Sequence, residues 1–409
     1  MAEREAVDAG LETVLREVRG RLVAALVRIL GDWDVAEELV QDAAVSALEH
    51  WPTDGLPDNP GAWLMTAARR KAVDRLRRRA RYRERMHQLT AEASEMDTPI
   101  QTAGPLGADD RLRLLFTCCH PALNREAQVA LTLRTIGGLE TAAVARAFLV
   151  PEATIAQRLV RAKRKIRDAA IPYRVPEPSE LPARLDEVLR VLYLIFNEGY
   201  LASSGEAPER RDLARDAEWL TSLLARLMPE EPEALGLLSL MRLHLARAEA
   251  RFSPDAGLVL LPDQDRSRWD HVAIAEAIEL LTHAERMNRA GAYQLQAAIL
   301  AMHATASAWE ATDWSAIVAI YDALYRIEPT PVVALNRALA LAERDGPAGA
   351  LDAIEPLADR LDRYHLFHAA RAELLRRLGR HDEARAANER ALTLTENPAE
   401  RRLLGERLR

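Results

Sequence analysis

The chain has little cysteine, almost no lysine and no long apolar run. Its 2 cysteines are adjacent, Cys118 and Cys119, which excludes a disulfide framework and fits a reducing compartment. Adjacent thiols splay apart, and Cys118-Cys119-His120 has no second Cys pair at zinc-site spacing, so no metal is expected there. His365 and His368 lack a Glu or Cys companion at ligand spacing and read as surface or packing residues. No stretch approaches the ~18 apolar residues of a membrane span. The opening MAEREAVDAG is too polar and acidic for a signal peptide. The expectation is a cytoplasmic chain that engages no membrane. P-loop, GxGxxG and GxSxG motifs are absent as well. An enzyme reading therefore has no residues to stand on, and no cofactor is expected.

What the chain does have is arginine, length and a divided charge. Only Lys71, Lys163 and Lys165 are lysines among 55 basic residues. The 409 residues, 49% apolar, allow a real core and suggest roughly two to four domains. Residues 1–175 hold 27 basic and 24 acidic side chains, and residues 176–409 hold 28 and 38. Within the first half the separation is sharper. Asp32 to Asp58 carries eight carboxylates and no cation, whereas Arg69 to Arg85 carries ten cations against Asp74 and Glu84. A basic helix can lie along phosphates, releasing counterions. An acidic helix suits a basic protein surface instead. Solvated helix faces are the bland reading of both, but Trp63, Leu64, Ala67 and Ala68 lead straight into the arginines.

Periodicity places helices over Leu11–Leu30, 33–50 and 59–79, with 80–93 open to a further one. Gly31 stops the first. Residues 92–107 read as a linker. A helix over Asp109–Cys119 ends at Pro121. Asn124 caps Arg125–Thr135, Gly137 and Gly138 break that helix, and a short helix Glu140–Phe148 precedes a turn and a long basic helix Ala153–Ala170. A short helix, a tight turn and a basic second helix is the helix-turn-helix pattern, with the second helix bound for a major groove. There Arg can pair bidentately with guanine and Gln with adenine. Pro172, Pro176, Pro178 and Pro182 mark a second linker.

These stretches resemble an extracytoplasmic-function (group 4) sigma factor, the promoter-reading subunit of bacterial RNA polymerase. Ala36-Glu37-Glu38-Leu39-Val40-Gln41-Asp42-Ala43, with Ala62-Trp63-Leu64 and Ala67-Ala68-Arg69-Arg70-Lys71-Ala72-Val73-Asp74-Arg75-Leu76, looks like region 2. Val150 to Leu159, followed by Arg161-Ala162-Lys163, looks like region 4. The resemblance implies that Glu38, Gln41 and Asp42 dock on core RNA polymerase. It implies that Trp63, Arg69, Arg70, Lys71, Arg75, Arg77 and Arg78 meet the −10 element of promoter DNA. The loop Trp51–Gly61 would hold a flipped base. Thr154, Gln157, Arg158, Arg161, Lys163 and Arg164 would meet the −35 element. One departure is Arg70, where many members carry Asn. The implied division is region 2 over 1–91, a linker over 92–107, region 4 over 108–171 and a linker over 172–182.

Beyond residue 182 the chain continues for more than half its length. Val191 to Phe196 is apolar all round, which argues for burial. Residues 252–270 read as a loop or short strand pair. Their Asp263-Gln264-Asp265-Arg266-Ser267-Arg268-Trp269-Asp270 run could bind something, but a buried, salt-bridged loop is the favoured reading. Alanines at 316, 350 and 384 recur every 34 residues, with Ala319/Ala353/Ala387 and Ala323/Leu357/Ala391 in the same register. This period resembles tetratricopeptide repeats, although the middle unit, with Pro356 inside a helix, matches poorly. A looser unit centred on Ala277 and Ala284 could precede them. The expectation is an all-α chain: a helical extension over 183–290 and a solenoid over 291–409 that binds a protein or peptide. The whole resembles a branch of group 4 sigma factors whose extension regulates activity. The alternative is a polymerase-independent helix-turn-helix regulator or scaffold, which would have no use for the Glu38/Gln41/Asp42 face.

Overall fold

The computed structural model describes residues 2–89, 109–148, 150–201, 209–253 and 257–408. Among them every regular element is helical, apart from one isolated antiparallel bridge between Phe252 and Leu258. The all-α class expected from the sequence is the class found. The linker expected over 92–107 lies outside the described residues. The chain divides into two compact units, Met1–Val191 and Leu192–Arg409.

In the first unit α1 (Ala2–Leu30), α2 (Trp33–Asp54) and α3 (Pro60–Leu89) pack on one another. The reason is visible in their stripes. Ala36, Leu39, Val40, Ala43 and Ala47 of α2 are buried, as are Leu64, Ala68 and Ala72 of α3, each at helical spacing. Gly31, at φ +65°, takes the left-handed turn that ends α1. Asp32 then accepts the Val35 N–H at 3.1 Å, a cap worth about 1 kcal/mol. The helix α3 is continuous where a break near residue 79 was an option. No Gly or Pro falls between Ala62 and Leu89, and arginine is a good helix former.

Four further helices follow in this unit: α4 (Asp109–Cys118), α5 (Arg125–Thr135), α6 (Thr141–Ala147) and α7 (Glu152–Asp168). Asn124 caps α5, accepting from Ala127 N at 2.9 Å. That helix is buried nearly all round, through Val129, Ala130, Leu131 and Leu133. It carries α7 by the face Ile155, Leu159 and Ala162. Cys118 and Cys119 are core residues, both 0% exposed. Burial pushes the Cys119 thiol up to about 12, and its sulfur lies 3.5 Å from Thr132 Oγ1. The two helical groups also pack together. A Cβ on Gly20 would stand 3.1 Å from the Ile136 carbonyl oxygen. The Tyr173 hydroxyl donates to the carbonyl oxygens of Ala24 and Asp110, at 2.9 and 3.0 Å.

The helix α8 (Leu181–Tyr200) begins inside the second expected linker. Burial of the Val191–Phe196 run is incomplete, because Leu194 is 41% exposed. The second unit continues through α9 (Arg211–Leu227), α10 (Pro232–Leu245), α11 (His271–Glu285) and α12 (Ala292–Thr305). Gly199 lets α8 and α9 touch, since a Cβ there would fall 2.3 Å from Ala214 N. Central α10 is buried on all sides and packs against α9, α11 and α12. Its Glu233 caps α12 by accepting from Tyr293 N and Gln294 N at 2.9 and 3.1 Å.

Paired helices then stack to the end: α13 (Trp314–Ile327), α14 (Pro331–Asp345), α15 (Pro347–Ile354), α16 (Ala358–Leu361), α17 (His365–Arg377), α18 (His381–Leu394) and α19 (Pro398–Glu406). Starts at 314, 347 and 381 alternate with starts at 331, 365 and 398, so the period seen in sequence is one of helical hairpins. The alanine register is looser than the period. Ala350, Ala384 and Ala387 are buried, but Ala319 and Ala353 are exposed. In the first pair Ile317, Val318 and Leu324 fill the core instead. Pro356, lacking an N–H, sits in a single 3-10 turn, Glu355–Leu357, between α15 and α16. Ala277 and Ala284 are buried in α11, which does not fall on the 33–34-residue spacing of the later starts.

Candidate nucleic-acid interface

The acidic face of α2 lies opposite its buried stripe. Glu38, Gln41 and Asp42, spaced i, i+3, i+4, share it, with Gln41 exposed and Asp42 half-buried. The face extends beyond the carboxylates. Val45 is 52% exposed and Leu48 38%, at positions that continue the same row. Sequence reasoning passed over these two, and the signal was there: exposed apolar residues at i+7 and i+10 from Glu38. Together the five make an apolar strip with an acidic end, the composition of a docking surface.

On α3, Arg70, Arg77 and Arg78 are exposed, while Arg69 and Lys71 are half-buried. Arg75 turns toward α2 and pairs with Glu38 at 2.9 Å, an exposed pair of small energetic weight. Trp63 is half-buried, its ring set edge-on against Trp51 at 5.6 Å. Trp51 itself is 2% exposed and belongs to α2. The expected loop Trp51–Gly61 therefore shrinks to the few residues between Asp54 and Pro60. It opens with Gly55 at φ +83° and closes with Asn59 accepting from Ala62 N at 3.0 Å.

The turn between α6 and α7 sets α7 with one face outward. Thr154, Gln157, Arg158, Arg161 and Lys165 line a groove of about 390 Å³ together with Asn124 and Glu126 at the start of α5. Arg158 pairs with Glu126 at 2.7 Å. Lys165 was not among the expected contact residues, although it lies one turn beyond Arg161 on the same row. Arg164 is exposed and pairs with Asp168 at 3.3 Å. Lys163 is placed differently. It lies half a turn away from the groove, its side chain only 13% exposed, and its Nζ donates to Asp34 and Glu37 of α2 at 3.0 and 2.8 Å. The structure thus brings four of the six expected −35 residues into one groove and spends Lys163 on an internal ion pair.

Residues 14–82 match sigma-70 region 2, residues 113–166 match sigma-70 region 4, and residues 184–285 match a family of unknown function (DUF6596). An uncharacterized protein, R00370, of Rhizobium meliloti is 43% identical over 96% of this chain and 94% of its own length. A probable ECF RNA polymerase sigma factor, SigI, of Mycobacterium tuberculosis is 29% identical over 40% of this chain; the match spans 57% of that protein. The ECF RNA polymerase sigma factor SigK of Mycobacterium ulcerans is 28% identical over 36% of this chain and 79% of its own length. No solved structure matches the chain. Among the described residues no helix is long and apolar enough to cross a membrane. The chain therefore belongs to one family with the Rhizobium meliloti protein, and it carries a sigma-70 region 2 and a sigma-70 region 4 similar to those of extracytoplasmic-function sigma factors.

Proposed function

We propose that the chain binds core RNA polymerase and directs it to specific promoters, and that its C-terminal repeats regulate this by contact with a protein or peptide. The observation that carries the reading is the groove of α5 and α7, where Thr154, Gln157, Arg161 and Lys165 converge beside Arg158. A helix presenting arginine and glutamine outward from a helix-turn-helix is built for a major groove. In this reading the exposed arginines Arg70, Arg77 and Arg78 of α3 follow the −10 phosphates. Thr154, Gln157, Arg158 and Arg161 contact the −35 element, and Lys163 does not. The surface Glu38, Gln41, Asp42, Val45 and Leu48 docks on the polymerase. The hairpins from α13 onward act as tetratricopeptide-like repeats, a stacked surface suited to an extended peptide or a partner helix.

A helix-turn-helix regulator working without polymerase would leave the α2 face idle. Reversing charge there separates the two readings. Glu38→Lys combined with Asp42→Lys should abolish co-purification of core RNA polymerase. The circular dichroism melt should shift little, since neither carboxylate is buried and ion pairs at the surface contribute little to stability. Undiminished recovery of core enzyme by the double variant would sink the assignment of this face.

A further inference from the structure

An arginine does not shed its charge inside a protein, so a buried guanidinium needs an anion beside it. The second unit buries two within one cluster: Arg247 is 5% exposed and Arg251 6%. Arg251 is provided for. It lies 3.5 Å from the centroid of the Tyr200 ring, donates to the Tyr200 carbonyl at 2.7 Å and stands 3.8 Å from Glu209. Among the described residues Arg247 has only neutral hydrogen-bond partners, Tyr200 Oη and His244 Nδ1, both at 3.4 Å. Its Nε is buried and has no partner.

A third guanidinium comes from the DQDRSRWD run. Arg266 gives Nη1 to the carbonyls of His303 and Ala306, at 2.6 and 2.8 Å, and its buried Nη2 has no partner. The guanidinium carbons of Arg266 and Arg247 lie 4.6 and 5.8 Å from the ring centroid of Trp269. Trp269 Nε1 and His303 Nδ1 are buried without partners too. Among the described residues the salt-bridged loop expected from the sequence does not form. Asp265 is turned onto Ser267, and Asp270 caps α11 at Ala273 N, 3.0 Å away. Among the described residues no carboxylate is within ion-pair distance of Arg247 or Arg266, and Glu310 acts on Arg266 only from farther off. The same surroundings hold His303 neutral: burial, then Arg247 and Arg266, push it down to about 4.

We propose that Arg247, Arg266, Trp269 and His303 form a binding site for the phosphate or carboxylate group of a small anionic molecule. Two guanidiniums supply charge-assisted hydrogen bonds, and the indole N–H and imidazole fix orientation. The site lies in the part of the chain that follows the promoter-reading modules, so an anion there gives this protein a chemical input of its own. The loop that carries Arg266 and Trp269 reaches the surface at Pro262, Asp263, Ser267 and Arg268, which are exposed.

The test uses the full chain, with inorganic phosphate and succinate as probes against chloride at equal ionic strength. Either probe should raise the melting temperature saturably, by several degrees beyond chloride. Phosphate alone doing so identifies a phosphorylated ligand, succinate alone a carboxylate, and both together a site that selects on charge. Arg247→Gln and Arg266→Gln should each weaken the response at least tenfold, while Arg268→Gln, at the exposed neighbour, should leave it unchanged. Should either variant fail to fold, the unmutated chain still decides. With ¹⁵N-tryptophan labelling, the Trp269 indole resonance, assigned through Trp269→Phe, should shift saturably with the probe while that of Trp33 does not. No effect of phosphate or succinate beyond chloride, or a response untouched in both variants, overturns the proposal.

Discussion

Arg158 and Arg161 stand one turn apart on the outward row of α7, yet their situations differ. The Arg158 side chain is 28% exposed and already held by Glu126 at 2.7 Å. Arg161 is exposed, and no ion pair to it occurs among the described residues. A base contact by Arg158 must first break its pair, so part of what it gains on DNA it loses in the protein. Arg161→Ala should therefore cost the holoenzyme more promoter affinity than Arg158→Ala. The loss should be about 1–3 kcal/mol and depend on one base pair of the −35 element if Arg161 reads a base. Removing the competitor, by Glu126→Gln, should raise affinity. Promoter titrations with single-base −35 variants measure all three. A loss from Arg161→Ala that is equal on every sequence would assign that residue to phosphate positioning.

At the scale of elements, the pairing of α7 with α2 through Lys163 separates packing from recognition. The side chains of Lys163 and Glu37 are 13% and 14% exposed, so cutting the pair leaves a carboxylate largely buried, with Arg19 acting on it only from farther off. Lys163→Met should lower unfolding free energy by about 1–3 kcal/mol, read by denaturant titration. It should change promoter affinity less than twofold. Lys165→Ala should do the reverse, leaving stability alone, weakening binding on all sequences and reducing the salt slope by about one. A large promoter defect in the Lys163 variant would return that residue to the DNA face. The contact face expected from the sequence holds 154, 157, 158, 161, 163 and 164, whereas helical spacing, legible by itself, puts 165 in that row and 163 on the opposite side. Charge alone hid it, because every cation on a basic helix looks alike until its partner is known. Helix starts were legible for the same kind of reason. Asp32 and Asn124 are caps with a fixed chemistry, whereas the far end of α3 carries no stop signal, and Trp51 before Pro52 read as loop although it is core. The cluster around Arg247 was not legible, since its members come from Tyr200 to His303 and meet only in the fold.

For the whole molecule, charge and periodicity point the same way. Residues 176–409 carry 28 basic against 38 acidic side chains, a balance that repels a phosphate backbone. Their hairpins share core from one to the next. Ile299 of α12 packs with Ile317 and Val333, and Leu335 of α14 lies in one cluster with Ala350 and Leu375. In such an array stability is close to a sum of units and interfaces, so shortening it removes a surface without unfolding what precedes the cut. Two truncations follow, one lacking 313–409 and one lacking only 380–409. Compared with the full chain at equal soluble concentration and helical content, the longer deletion should change transcript yield several-fold in vitro at an unchanged start site. The shorter deletion serves as the control for opened core, because it exposes the apolar flank of α17, including Leu374 and Leu375, which are buried in the intact chain. If both truncations shift yield alike, the change comes from opened core and not from the surface of the removed repeats. Equal yield from all three chains would leave the repeats without a part in transcription. A different promoter chosen by the truncated protein would mean that this acidic half reads DNA after all.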